Sequence, residues 1–367
     1  MFRQQLVRLH KAESDQLCRN VLRRGDFQRA AFENWYPEGA NEVGRMTYRP
    51  LMIVVLCLLD AISALAQSTT DLPLVGVLRL DTPESVKPVG TIFRNTLASL
   101  GQVDGRNIRI DFRLASGHAE RFPELAQQLV REKASVIVAS GDAAVRAAQQ
   151  ATKTIPIIAI VDDIVAAGLI DSLARPGANT TGVSILATEL DAKRLDILKR
   201  IVGGGRRFGV LSDPSSARAK PQLLLDTAKS LGIELITEEV RSPEEFAAAF
   251  GSFRAKGVEA ILMRSSPLIF GFRKELCSLS MTHKLLSITQ NREQAEAGCT
   301  VSYGVKLSEM HGLAAVYVDK MLRGALPRDT PAQQPLNYEL IINQKTAKAL
   351  GIELPNALLV EADEVLE

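Results

Sequence analysis

From Leu74 onward, short runs of β-branched and aliphatic residues alternate with longer amphipathic segments, a rhythm that restricts the chain to βα units around parallel sheets. Leu74 to Leu78 reads as a first strand. Val89, Ile92, Phe93, Thr96, Leu97 and Leu100 then recur at helical spacing, and Gly101 stops the helix. The alternation continues through strand 108–112, a helix carrying Phe122, Leu125, Ala126, Leu129 and Val130, strand 135–139 and helix 142–151. Ile155 to Val161 is apolar enough to be buried on both faces. Asn179-Thr180-Thr181-Gly182 then breaks the rhythm, which places a crossover before a second, similar series.

That second series reads as helix 190–202, strand 207–211, helix 221–231, strand 234–238, helix 244–256, strand 260–263, a helix through Leu276 and strand 285–288. Gly203-Gly204-Gly205 follows a helix and precedes a strand, the reverse of a phosphate-binding order, so it reads as a helix stop. A last amphipathic helix with Met310, Leu313, Ala314, Tyr317, Val318, Met321 and Leu322 ends at Gly324, and 338–342 reads as a final strand. Two lobes of the same topology are implied.

Residues 46–66 have the layout of a secretory leader: Arg49, an apolar stretch from Leu51 to Leu59, and Ala64-Leu65-Ala66 before Gln67. Asp60 cuts the apolar run below the roughly 20 residues of a membrane anchor. The expectation is export, a mature start near Gln67, and a non-native or disordered extension over 1–45 with translation starting at Met46. Roughly 300 residues remain, enough for two domains of ordinary size. Basic and acidic residues balance from Gln67 onward, which leaves no electrostatic footprint for nucleic acid.

Cys277 and Cys299 are the cysteines that would meet an oxidising compartment. A disulfide is allowed, but nothing in the spacing brings the pair within bridging distance, and free buried thiols are the expected state. His118, His283 and His311 lack metal-site spacing and read as surface or internally satisfied residues. No activated nucleophile, metal cluster or cofactor motif is present, so neither an enzyme nor a cofactor is expected.

Ligands of open α/β sheets bind outside the carboxyl ends of strands. That rule nominates the loops at 79–82, 140–142, 162–163, 213–216, 264–266 and 290–292. Within them the candidate ligand residues are Asp81, Thr82, Ser140, Gly141, Asp142, Asp162, Asp163, Asp213, Ser215, Ser265 and Asn291, with Tyr303 as an aromatic surface. Ser140-Gly141-Asp142 opens a helix, where backbone N–H groups suit a carboxylate, although Ser140 or Asp142 could equally cap that helix. Of Asp162 and Asp163, strand alternation sends one toward the cleft. Asp213-Pro214-Ser215-Ser216 is also an ordinary turn sequence. Without a tryptophan beyond Trp35 for stacking on a sugar, an amino acid or small carboxylate suits these groups better.

The stretch from Ser172 to Gly182, Ser-Leu-Ala-Arg-Pro-Gly-Ala-Asn-Thr-Thr-Gly, resembles ABC-transporter substrate-binding proteins related to tryptophan and tyrosine binders. The likeness includes Ile155-Pro156-Ile157, Ala167 to Ile170, Ser302-Tyr303-Gly304, Tyr317 to Gly324, Tyr338 to Asn343 and Lys345 to Gly351, and extends over 74–367. It implies a type I periplasmic-binding fold, two Rossmann-like lobes joined by three crossovers, over 72–183 plus 287–328 and over 187–286 plus 335–367. It also implies a monomer that closes on a small-molecule solute and delivers it to ABC permease subunits in the inner membrane. An exported sensor coupled to a membrane signalling protein is the alternative. Asp163-Ile164-Val165 departs from the family's Asp-Pro-Val, which frees a backbone N–H and is expected to loosen that turn.

Overall fold

The computed structural model describes residues 72–367 apart from 216–220. The expected leader at 46–66, the extension at 1–45 and the mature start at Gln67 lie outside the described residues.

The first lobe is a five-stranded parallel sheet of order β2-β1-β3-β4-β5, with β1 Leu74–Arg79, β2 Arg109–Leu114, β3 Val136–Ser140, β4 Ile157–Val161 and β5 Thr180–Ser184. Every residue of β1, β3, β4 and β5 is buried, as hydrophobic runs covered on both faces require. Helices α1 Lys87–Ser99, α2 Phe122–Arg131 and α3 Asp142–Ala151 connect these strands along their apolar stripes. Gly182 lies in β5 at φ 152°, where a Cβ would stand 2.0 Å from the carbonyl oxygen of Ala159 in β4. Only glycine permits that approach.

The second sheet has seven strands. They are β6 Arg207–Ser212, β7 Glu234–Glu239, β8 Ala260–Met263, β9 Leu286–Thr289, β10 Val301–Val305, β11 Tyr338–Asn343 and β12 Glu364–Leu366, in the order β12-β11-β10-β9-β8-β6-β7. The β10 to β11 pairing is antiparallel and the others are parallel. Its helices are α4 Asp191–Val202, α5 Pro221–Ser230, α6 Phe246–Ala255, α7 Pro267–Gly271, α8 Arg273–Thr282 and α9 Arg292–Glu296. Helix α10 Leu307–Leu322 packs back on the first lobe, and α11 Gln344–Ala349 and α12 Asn356–Glu361 close the second.

The chain therefore crosses between sheets three times, after β5, after β10 and between α10 and β11. Strand β9 pairs with β8, and β10 pairs with β11. The boundary expected at 287 accordingly moves to the start of α10. Hydrogen bonding of β9 to β8 decides this, and helix periodicity carries no information about it. The third crossing is tied to the first sheet, with Ser184 N–H donating to Gln333 O and Gln333 N–H to Gly182 O.

Cys277 on α8 and Cys299 ahead of β10 form a disulfide, with Cα atoms 4.7 Å apart. The expectation of free thiols was wrong. The turn of α9 and Gly298 folds the chain back so that a segment 22 residues later meets α8, a closure that spacing alone does not reveal.

Candidate solute-binding cleft

The two sheets approach each other at the carboxyl ends of their strands, and a cavity of about 70 Å³ lies between them. The first lobe contributes Ser140, Gly141 and Asp142 from the β3 to α3 turn and Asp162 from the end of β4. Ser265 after β8 and Asn291 after β9 face them from the second lobe. All six belong to the set nominated from sequence.

The other six are not on this cavity wall and have partners within the fold. Asp81 is fully buried, and its Oδ2 accepts from Arg79 Nε at 2.7 Å, so it is Arg79 that lines the cavity. Thr82 N–H donates to Ser85 Oγ in a local turn. Asp163 Oδ1 accepts from the N–H groups of Val165 and Ala166, which turns it away from the cavity that Asp162 lines. Asp213 accepts from Ser215 N–H and from Ser266 Oγ–H, so both Asp213 and Ser215 serve the loop. Tyr303 packs its ring on Tyr338 at 6.5 Å.

Ile164, at the position where the resemblance led us to expect proline, is fully buried. Its N–H donates to Ser184 Oγ at 3.3 Å, and Ser184 Oγ in turn donates to the carbonyl of Asp162. The donor freed by the absence of a proline is therefore satisfied within the fold.

Gly141 has φ 88°, and a Cβ on it would come within 2.7 Å of Pro267 Cγ in the second lobe. The lobes are in direct contact there. Arg273 on α8 is buried beneath Phe270, its Cζ 4.6 Å from the ring centroid, and its Nη2 donates to Ser85 O of the first lobe at 3.3 Å. Apolar residues from both lobes, among them Leu80, Ala144, Phe246, Leu268 and Ile269, form one continuous cluster beside the cavity.

Beneath the second-lobe wall, Asp191 bridges two arginines, with Arg194 Nη1 at 2.7 Å from Oδ1 and Arg264 Nε at 2.9 Å from Oδ2. Arg194 is fully buried; it also donates to Ala187 O and Tyr303 O, which flank the first two crossings. Burial pulls its pKa below the ordinary arginine value, with Asp191 opposing.

Sequence reasoning did not find three further lining residues, Leu307, Met310 and His311 on α10. His311 is 2 % exposed and its Nε2 has no hydrogen-bond partner among the described residues. The reading of His311 as a surface or satisfied histidine is corrected on both counts. Burial, and then the Arg79 charge, push its pKa well below the usual histidine value. A polar residue beside Met310 on an otherwise apolar helix face was the available signal.

A family of ABC transporter substrate binding proteins matches residues 81–366. The chain belongs to that family. It is 27 % identical over 296 residues to the tyrosine-binding protein of Clostridioides difficile, covering 79 % of this chain and 85 % of the relative. A conserved domain protein from Vibrio cholerae superposes with a TM-score of 0.74 at 25 % identity, over 80 % of this chain and 99 % of the other. An ABC domain from Streptococcus pneumonia solved in complex with L-Trp gives 0.72 at 25 % identity, over 81 % and 100 %. The two-lobed α/β architecture is that of type I periplasmic-binding proteins. Members of this family are binding proteins and not enzymes. Among the described residues no cluster of His, Cys, Asp and Glu could hold a metal, and no helix is long and apolar enough to cross a membrane.

Proposed function

We propose that this chain is a periplasmic solute receptor that binds an amino acid or a small organic or aromatic carboxylate between its lobes and delivers it to an ABC importer. The observation that carries this reading is the composition of the cavity wall. Ser140, Gly141, Asp142 and Asp162 come from one lobe, and Ser265 and Asn291 from the other. A solute touching both walls stabilises the arrangement in which the lobes meet, which is the thermodynamic content of hinge closure. Backbone N–H groups at the start of α3 suit a carboxylate, the aspartates suit an ammonium, and Ile160, Phe270 and Met310 offer an apolar surface. The tyrosine and L-Trp named for two relatives support an amino acid as the solute class. In this reading the receptor acts as a monomer, and its partners are permease subunits of the inner membrane.

The test is a melting-temperature panel of amino acids and small aromatic and aliphatic carboxylates. One of them should raise the midpoint saturably, by an amount equivalent to about 2.7 kcal/mol at a hundredfold excess over Kd. For a protein of this size that is on the order of 5 °C. A flat response across the panel sinks the proposed solute class.

A further inference from the structure

Helix α10 returns the chain to the first lobe, and its opening turns supply Leu307, Met310 and His311 to the cavity wall. Two of these are what an apolar helix face brings; the imidazole is not. Native structures rarely leave a buried polar atom unpaired, yet His311 Nε2 is buried without a partner among the described residues. The residue belongs to the cavity wall while the nitrogen itself lies covered just beneath it, so the partner proposed for it is a solute whose entry uncovers the ring edge.

The surroundings say what kind of partner fits. Phe270, Leu307 and Met310 line the same cavity, so the imidazole interrupts an apolar surface. The charged residues on the cavity wall are Arg79, Asp142 and Asp162. Arg79 pairs with Asp81, and both wall aspartates are already engaged in interactions of their own. Burial and the nearby Arg79 keep the ring uncharged at neutral pH. A neutral imidazole offers one donor and one acceptor nitrogen, so an uncharged hydroxyl or N–H group can complete it without a counter-ion.

We propose that His311 is a specificity-determining residue that reads the solute for a polar tip, a hydroxyl or ring N–H carried on an otherwise apolar side chain. This rests on the solute-receptor reading and names which solutes within that class are preferred. Its physical basis is an asymmetry: a site built to hydrogen-bond a hydroxyl rejects the analogue lacking it, because the buried nitrogen is left unpaired.

Calorimetric titration of the full chain with matched pairs, L-tyrosine against L-phenylalanine and 4-hydroxybenzoate against benzoate, tests this. The hydroxylated member should bind about tenfold or more tightly to the wild type. In H311L, and in H311M as a second apolar replacement, that ratio should fall to about one, while H311Q keeps part of it. The unliganded H311L protein should melt no lower than wild type, because an unpaired polar atom has been removed; a purely structural histidine would give a lower midpoint. Equal affinities within each pair, a preference that survives in H311L and H311M, or binding confined to solutes without a polar tip would overturn the inference and leave the receptor reading standing. A wild type that binds nothing in the panel overturns both.

Discussion

Single residues in the cleft divide into those that face the cavity and those that hold its frame, and neighbours in sequence fall on opposite sides of that division. Asp162 lines the cavity while Asp163 caps the next turn. Arg79 lines it while Asp81 holds Arg79 by its Nε. His311 gives this scale a pH signature whose sign follows from its depressed pKa. Below the ordinary histidine value of about 6.5 the unfolded chain takes up a proton that the folded ring refuses. Stability is therefore fully present above about pH 6.5 and falls with decreasing pH until the depressed folded pKa is reached, by up to about 1.4 kcal/mol per pH unit. Melting curves between pH 7.5 and pH 5 (roughly the span over which histidine titrates) should show a steeper loss for wild type than for H311L. Parallel curves would mean that the folded ring takes up its proton over the same pH range as the unfolded one.

At the scale of elements, the disulfide joins α8 to the segment entering β10, so it ties a helix of the second lobe to a central strand of that lobe's sheet. Both cysteines are buried, at 1 % and 0 % exposure. Closing a loop of this size restricts the unfolded chain by roughly 3 kcal/mol. The double variant C277A/C299A should accordingly unfold about 2–4 kcal/mol more easily in urea, and reductant should leave its midpoint unchanged. A variant as stable as the oxidised wild type would show that the bond constrains nothing the fold does not already hold. The neighbouring Arg194, Asp191 and Arg264 network acts on the same elements, since Arg194 grips the carbonyls of Ala187 and Tyr303 beside two crossings.

For the whole molecule, the decisive contact is the approach of the lobes at Gly141 and Pro267, supported by the Arg273 to Ser85 hydrogen bond. G141A places a methyl group 2.7 Å from Pro267 Cγ and forces alanine into a left-handed conformation. Holding the lobes apart should weaken solute binding by about tenfold or more, since closure supplies part of the binding energy. Solution scattering should show a smaller contraction on adding solute than in wild type. Undiminished affinity with full contraction would place the hinge-closing contact elsewhere.

The order of strands and helices was legible because it is written locally: apolar residues at Val89, Phe93 and Leu97 repeat with a helix's period, and Ile157 to Val161 form a continuous strand run. Motifs at Ser172 to Gly182 and Tyr338 to Asn343 carried the family, and the rule that loops at strand ends bind ligands selected Ser140, Asp142, Asp162, Ser265 and Asn291 for the cavity wall. The short strand Glu364–Leu366 escaped notice, because three residues that pair only at a sheet edge leave no periodic trace. Tertiary structure alone decided which aspartate of a pair faces inward, that Cys277 and Cys299 meet, that β10 joins the larger sheet, and that His311 lies in the cleft. Each depends on contacts between segments distant in the chain. Local hydrophobic period determines the face a residue occupies on its own element, and packing between elements determines what that face meets.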